Sequence, residues 1–161
     1  MKEIHVQALT REAFSPYGEF VDVSKYGEKG ESAFFADLIT WKPLAEVGIS
    51  IGYANPDERR IPWYEYHAHT EEIRMPLDGD MIVYLGKQDE NPNPETFEAF
   101  LVPRFTMIRL FPGVVHGRQF PAGSEPVHVL LLCEAATYAK DVHHWELPRE
   151  EAPAILWNQE K

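Results

Sequence analysis

The sequence is poor in cysteine, in positive charge and in long apolar runs, and each shortage excludes a class of protein. Cys133 is the only cysteine among 161 residues, so no disulfide framework holds the fold together. Lysine and arginine number 15 against 26 acidic residues, which gives a formal net charge of −11. Nucleic acid and anionic membranes would repel such a chain, although a small anionic substrate can still bind where an arginine or a metal inverts the local field.

The sequence also lacks the apolar segments that place a protein in or across a membrane. No stretch approaches the roughly 18 consecutive apolar residues of a membrane-spanning helix. The N-terminus carries charges at Lys2, Glu3, Arg11 and Glu12 and has no apolar core of a signal peptide. We therefore expect a cytoplasmic protein.

The chain does contain short segments rich in Val, Ile, Phe and Tyr, which are separated by 13 prolines and 10 glycines. This pattern is typical of strands. About ten close strands without a linker or a repeat favour one all-β domain over 1–161, a sandwich or a small barrel. The predicted strands are 19–23, 33–41, 47–54, 62–69, 71–77, 80–86, 97–101, 105–110, 116–120 and 126–134.

Two short helices are expected beside these strands. Residues 9–18 predict the first, which Thr10 can cap and Pro16 ends. Residues 147–157 predict a closing helix that Pro153 interrupts.

Histidines and acidic residues cluster in "YHAHTEEIRMPLDGD" (66–80). On a strand, alternate residues face one side, so His67 and His69 would present both imidazoles to one surface. Two converging imidazoles suit a divalent transition metal. His116 follows a Pro-Gly turn in "FPGVVHGRQF" (111–120) and can supply a third. The competing interpretation is a chance pair of histidines on a solvated strand face.

These two segments resemble the two cupin motifs. "HAHTEEIRMPLDG" is similar to the first, in which His-x-His is followed by Glu, six residues and Gly, and "GVVHGRQF" resembles the second. The resemblance implies a single cupin-type antiparallel β-barrel, jelly-roll-like, with short peripheral helices. It also implies a divalent metal ion, with zinc, manganese, nickel and iron all open, whose ligands would be His67, His69, Glu72 and His116.

The carboxylate ligand is ambiguous because only Thr70 and Glu71 separate His69 from Glu72. Simple strand alternation selects Glu71, whereas the Glu-to-Gly spacing selects Glu72. A tight turn or a bulge at Thr70–Glu71 would favour Glu72, which is the residue we prefer.

Most of the chain is covered by five segments that follow one another in this order: "LTREAFSPYGEFVDV", "ISIGYANP", "EYHAHTEEIRMPLDGDMIVYLG", "GVVHG" and "CEAATYAKDVHHWELP". Together they carry a narrower resemblance, to the ureidoglycolate lyase family. Glu65, His67 and His116 fall on family positions, while Tyr53, Val115 and His69 depart from the family pattern. The resemblance implies a lyase that splits ureidoglycolate into glyoxylate and urea in purine and allantoin breakdown. A homodimer is also expected.

That reaction needs a base for the hydroxyl proton and a donor for the departing urea nitrogen. Glu72, His116 and Arg74 are the expected catalytic residues, and Arg74, Glu65 and Tyr84 are expected to contact the substrate. Alternation places Arg74 on the face of Glu72, where it would bind the substrate carboxylate or pair with a core carboxylate. The two alternatives stay open.

Two other functional classes fit the same motifs. One is another metal-dependent cupin enzyme, a dioxygenase or a sugar isomerase. The other is a non-catalytic cupin that binds a small ligand. A fold by itself does not separate them.

Overall fold

The computed structural model describes residues 2–27 and 34–158, and they are mostly strand. Two four-residue helices, α1 (Arg11–Phe14) and α2 (Thr137–Lys140), and two single 3-10 turns, Val23–Lys25 and Pro94–Thr96, interrupt the strands. The strands are β1 (Glu3–Ala8), β2 (Gly18–Asp22), β3 (Val47–Ala54), β4 (Trp63–Tyr66), β5 (Glu72–Pro76), β6 (Met81–Leu85), β7 (Glu98–Val102), β8 (Thr106–Leu110), β9 (Phe120–Pro121), β10 (Val127–Glu134), β11 (His143–Glu146) and β12 (Ala154–Leu156).

The strands form two five-stranded sheets and one two-stranded ribbon. The first sheet has the order β12-β1-β7-β6-β9, the second has the order β2-β8-β5-β10-β3, and β11 pairs with β4. Most pairs are antiparallel, but β1 runs parallel to both of its neighbours, β7 and β12. The predicted all-β class is confirmed, and the parallel course of β1 is an addition that the strand pattern did not predict.

The core lies between the two sheets. Buried side chains of β6 and β7, such as Val83 and Phe100, contact those of β8 and β10, such as Ile108 and Val129. A second cluster, which includes Tyr84, covers the other face of the first sheet. Because β6 is enclosed on both faces, all five of its residues are buried and apolar.

Two predicted elements are wrong. Residues 147–157 are not helical: Ala154–Leu156 form β12, which pairs with β1, because Pro153 cannot continue a helix and the strand edge of β1 is available. The predicted strand 33–41 is absent from the described residues 34–41, where Asp37 has a φ of 54° that breaks an extended run.

The other predicted segments contain an element of the predicted type, although three of these elements are shorter than predicted by three or more residues. The predicted strand 62–69 ends at Tyr66, and 116–120 retains only Phe120 of β9. The first helix covers Arg11–Phe14, and the Thr10 side chain accepts a hydrogen bond from the Ala13 amide as predicted. Among the described residues no helix has the length and apolar content that a bilayer span requires.

Candidate functional site

Glu65 and His116 are held side by side by their own backbones. The amide of each donates to the carbonyl of the other, at 2.7 Å from Glu65 and 2.8 Å from His116. Residues directly opposite in such an antiparallel bridge share one face, so both side chains point inward. The turn that brings His116 there uses Gly113, whose φ of 80° favours glycine. The predicted Pro-Gly turn therefore does aim this histidine.

Each of two buried imidazoles has one nitrogen fixed by a backbone carbonyl. Nδ1 of His67 donates to the Asp141 carbonyl at 2.7 Å, and Nδ1 of His116 donates to the Val114 carbonyl at 2.8 Å. A carbonyl only accepts, so both rings carry their proton on Nδ1 when neutral. Both Nε2 atoms then offer a lone pair to the same interior space.

Two carboxylates face these nitrogens. Oε2 of Glu72 lies 3.3 Å from Nε2 of His67 and 3.7 Å from Nε2 of His116, and Oε1 of Glu65 lies 3.9 Å from the latter. Within the described part of the chain, Nε2 of His116 is buried without a hydrogen-bond partner. Two lone pairs directed at two carboxylates favour a proton or a cation between them, in addition to the Arg74 guanidinium that pairs with Glu72.

The arrangement fits a divalent metal ion. One ligand atom each from Glu65, His67 and His116 lie within 4.8 Å of one another. Imidazole and carboxylate ligands suit zinc, manganese, nickel and iron. Metal-bound histidines usually donate their other N–H to a carbonyl or a carboxylate, as both do here. The donor set is therefore chemically competent, with Glu72 as a fourth neighbour.

Burial and charge shift the ionisation of the cluster in opposite directions. Burial lowers the pKa of His116 to about 3, so the ring is neutral at physiological pH. Burial alone would raise the pKa of Glu72, but the Arg74 guanidinium and the two imidazoles hold that pKa well below its ordinary value. The pKa of His67 is raised, because the attraction of the Glu72 carboxylate outweighs the lowering effect of burial. At neutral pH the cluster therefore contains an ionised Glu72 and a neutral His116.

Arg74 faces the interior, as strand alternation predicted. Its Nε donates to Oε1 of Glu72, and its Nη1 donates to the Gly117 carbonyl at 2.8 Å and to Oε1 of Gln119 at 3.0 Å. Only 4% of the residue is exposed. Of the two partners considered for Arg74, a substrate carboxylate and a core carboxylate, the structure shows the second, which is that of Glu72.

The predicted ligand His69 is not brought to the cluster. Its side chain is 78% exposed, and its Nδ1 lies 3.3 Å from Asp141. The expectation of a shared face assumed a strand through 62–69, but β4 ends at Tyr66 and the chain turns, so alternation no longer applies. His69 is therefore corrected from a converging imidazole to a surface residue.

The same turn decides between the two glutamates. Glu72 is 1% exposed and faces the imidazoles, whereas Glu71 points to the opposite side, where its Oε2 lies 3.5 Å from Nε of Arg109. The structure brings Glu72 to the cluster and leaves Glu71 outside it.

Tyr84, the expected substrate contact, is only indirectly connected to the cluster. Its hydroxyl donates to the Trp63 carbonyl at 2.5 Å and accepts from the Arg118 amide at 3.1 Å. It packs against Gly117, where any Cβ would lie 1.8 Å from the tyrosine oxygen. Tyr84 thus supports the segment that carries His116 and the Gly117 acceptor of Arg74.

Three residues of the site were missed in the sequence. Asp141 holds the turn that follows β4, Tyr138 donates its hydroxyl to Oε2 of Glu72 at 3.3 Å, and His144 lies 3.5 Å from Oε2 of Glu65. Tyr138 and His144 are partly exposed and mark the solvent side of the cluster. All three lie in "CEAATYAKDVHHWELP", which contributes to the family resemblance, but none of them was given a role from the sequence.

Comparison with known proteins gives consistent results. The sequence model of the family described as Ureidoglycolate lyase matches residues 1–151. The ureidoglycolate lyase of Rhodobacter capsulatus is 26% identical over 132 residues, 77% of this chain and 82% of that protein. A putative ureidoglycolate lyase of Agrobacterium fabrum is 26% identical over 124 residues, 75% of this chain and 76% of that protein.

Among solved structures, a dTDP sugar isomerase from Desulfovibrio desulfuricans is similar in fold. It aligns over 83% of each chain with a TM-score of 0.52 and 15% identity. At this identity the likeness concerns the fold alone. It confirms the predicted cupin-type, jelly-roll-like architecture.

Proposed function

The chain belongs to the ureidoglycolate lyase family, and from this premise we propose that it splits ureidoglycolate into glyoxylate and urea during purine and allantoin breakdown. The observation that carries the proposal is the buried cluster itself. Two imidazole Nε2 atoms, each oriented by a backbone carbonyl, meet the carboxylates of Glu65 and Glu72. Burying several ionisable groups together costs stability, and such clusters are concentrated at functional sites.

The reaction moves one proton off the substrate hydroxyl and one onto the departing nitrogen. The hydroxyl O–H bond breaks as the carbonyl of glyoxylate forms, and the carbon–nitrogen bond breaks as urea leaves. A base must receive the first proton, and a donor must assist the nitrogen. No oxidant or reductant is needed.

We propose that Glu65, His67 and His116 hold a divalent metal ion, with Glu72 beside them. Such an ion would bind the carboxylate and hydroxyl oxygens of the substrate together and lower the pKa of that hydroxyl. His69, which lies outside the cluster, is no part of the proposed ligand set.

Glu72 is the proposed acceptor of the hydroxyl proton. Its pKa is lowered by Arg74 and the imidazoles, so it is ionised but weakly basic. Glu72 can therefore accept the proton efficiently only from a hydroxyl whose own pKa has been lowered. In a metal-free reaction, the neutral Nε2 of His116 would be the better base.

Arg74 and Tyr138 complete the proposed arrangement. Arg74 orients Glu72 through Nε. Burial and the neighbouring Glu72 raise the pKa of Tyr138, so its hydroxyl stays protonated and can donate a hydrogen bond. Because Tyr138 is half exposed at the solvent side, it is placed to contact the urea portion of an entering substrate.

The test is glyoxylate formation by purified protein given ureidoglycolate. The assay is run on protein as purified, after removal of metal with a chelator, and after return of zinc, manganese, nickel or iron(II). We expect glyoxylate and urea in equal amounts, loss of activity on chelation and recovery with at least one ion. If activity survives complete chelation, the base is His116 and not Glu72. Absence of glyoxylate with every ion would overturn the proposed function.

A further inference from the structure

Gln119 is a buried amide whose donor half has no partner. Only 9% of the residue is exposed, and its Oε1 accepts a hydrogen bond from Nη1 of Arg74 at 3.0 Å. Because a guanidinium only donates, the amide oxygen must face Arg74 and the Nε2 group must point away from it. Within the described part of the chain, no group accepts from Nε2 of Gln119. A buried donor without an acceptor costs stability, and a bound ligand is one explanation for such an exception.

Arg74 also has donors without a partner. Its Nε donates to Glu72, and its Nη1 donates to the Gly117 carbonyl and to Gln119. None of the described residues accepts from its Nη2. Since Arg74 contacts Gln119 directly, an acceptor that binds the amide of Gln119 lies beside a fixed positive charge. The two side chains together therefore offer N–H donors and a positive charge next to Glu72.

The inner face of β3 leaves room for a ligand at this amide. A Cβ on Gly52 would lie 3.0 Å from Nε2 of Gln119 and 2.7 Å from Cδ1 of Leu131. Ser50 lies on the same face by strand alternation and is exposed, so this face opens to solvent. The register places Ser50 opposite Leu131, which lies opposite Arg74 on its other side. Solvent therefore reaches the buried amide and the guanidinium past small side chains.

We propose that Gln119 and Arg74 bind the carboxylate of the substrate, and that they select an α-hydroxy acid over its uncharged analogues. This assignment rests on the proposed function, which makes an α-hydroxy acid the substrate. A carboxylate is the acceptor that gains most from an amide N–H beside a guanidinium, because such hydrogen bonds are charge-assisted. The hydroxyl of an α-hydroxy acid lies one carbon from its carboxylate. Glu72, the proposed acceptor of the hydroxyl proton, is the other side-chain partner of Arg74.

The first experiment measures binding without turnover. Calorimetry compares glycolate with its neutral amide, glycolamide, on the wild type and on Gln119→Glu. The variant keeps an oxygen facing Arg74 but replaces the unpartnered N–H₂ group with a second carboxylate oxygen.

We expect the wild type to prefer glycolate over glycolamide. Gln119→Glu should bind glycolate about 10–100-fold more weakly, the effect of losing a hydrogen bond to a charged group. Its urea unfolding midpoint should not fall, because the contact with Arg74 is kept. Equal affinities of the two proteins for glycolate, or a wild type that binds glycolamide as tightly as glycolate, would overturn the proposal.

The second experiment leaves Gln119 and Arg74 unchanged. Gly52→Ala adds a methyl group that crowds Nε2 of Gln119, while Leu131 can move aside because its contacting atom is the end of a flexible side chain. The matched control is Gly48→Ala on the same face of β3, where an added Cβ would meet no atom closer than 3.7 Å.

We expect Gly52→Ala to weaken glycolate binding and to raise KM for ureidoglycolate about tenfold, as the loss of one such hydrogen bond would. The kcat should stay near the wild-type value, because the carboxylate is bound equally in the ground state and the transition state. Gly48→Ala should match the wild type in both quantities. Equal KM values for the two variants would contradict the carboxylate site.

The two measurements also separate the carboxylate site from the proposed function. If the protein forms no glyoxylate but loses glycolate binding in Gln119→Glu, the proposed function fails and the carboxylate site stands. If the protein forms glyoxylate while Gln119→Glu keeps the wild-type KM and glycolate affinity, the function stands and the carboxylate site is wrong.

Discussion

The backbone carbonyl of Asp141 accepts a hydrogen bond from Nδ1 of His67 at 2.7 Å, while the Asp141 carboxylate binds the turn that follows. That carboxylate accepts from the amides of Ala68, His69 and Thr70, each at 3.0 Å, and from the Thr70 hydroxyl at 2.9 Å. One residue therefore fixes the shape of the turn and the orientation of the buried imidazole. A distant segment of the chain thus determines where the Nε2 of His67 points.

We expect Asp141→Asn to weaken activity and metal affinity by about 10–100-fold, the usual effect of losing a partner that orients a ligand. An amide nitrogen would replace one carboxylate oxygen and face backbone N–H groups that it cannot accept from. The measurements are kcat/KM on ureidoglycolate and zinc affinity by calorimetry.

The control for that variant is Asp78→Asn. Asp78 makes the same kind of contacts in the exposed bend between β5 and β6, accepting from the His128 amide at 2.8 Å and lying 2.6 Å from His128 Nδ1. The Asp78→Asn variant should keep kcat/KM and zinc affinity near the wild-type values. Equal effects of the two variants would show that the Asp141 contacts have no special role in the site.

The two histidines of the His-x-His pair should behave differently. His67→Ala removes a buried nitrogen of the cluster, so bound metal should fall to background and activity should be lost. His69→Ala changes an exposed ring and should retain metal and most activity. Elemental analysis of both variants, purified without chelator, checks this. If the single variant His69→Ala lost its metal, His69 would be a ligand, as the sequence had indicated.

Arg74→Ala should destabilise the fold strongly. Removing one partner of a buried ion pair leaves an uncompensated charge, which costs about 3–5 kcal/mol. Arg74→Lys should also be impaired, because an ammonium lacks the planar fork that contacts Glu72, Gly117 and Gln119 together.

Urea unfolding followed by circular dichroism gives the free energies of unfolding for these Arg74 variants. The control is Arg118→Ala, which breaks the exposed pair with Asp57 and should cost about 0–1 kcal/mol. Wild-type stability in Arg74→Ala would contradict the buried pair.

Alkaline pH should destabilise the wild type more than Tyr17→Phe. Burial, reinforced by a hydrogen bond to Glu98, raises the pKa of the Tyr17 hydroxyl above its ordinary value near 10. A group with a raised folded pKa gives stability that is fully present below its unfolded pKa and is lost as the pH rises towards the folded pKa. Between pH 9 and pH 11 the wild type should therefore lose about 1 kcal/mol more than Tyr17→Phe. Parallel curves of unfolding free energy against pH would refute this.

Local signals predicted most of the strands and missed elements that depend on distant partners. The runs 71–77 and 126–134 contain β5 and β10, because β-rich segments bounded by turn residues are a local signal of strands. Residues 154–156 became a strand only because β1 lies beside them, and no local pattern encodes that parallel pairing.

The site divides in the same way. Sequence spacing identified His67, His116 and Glu72, since the His-x-His and Gly-x-x-His segments are local features. It placed His69 with them because alternation was continued past the point where β4 ends. It did not predict that Asp141, more than seventy residues from His67, holds the turn.

The amino-acid sequence by itself determined the all-β class, the family resemblance and the residue types available for the chemistry, because periodicity, composition and motif spacing are properties of short segments. The tertiary structure decided which of those side chains meet. Glu65 joins His116 through a backbone bridge between segments that lie fifty residues apart, and Arg74 finds Glu72 instead of solvent. Such choices depend on strand pairing and turn geometry across the whole chain, where a change of one residue in register reverses the face on which a side chain lies.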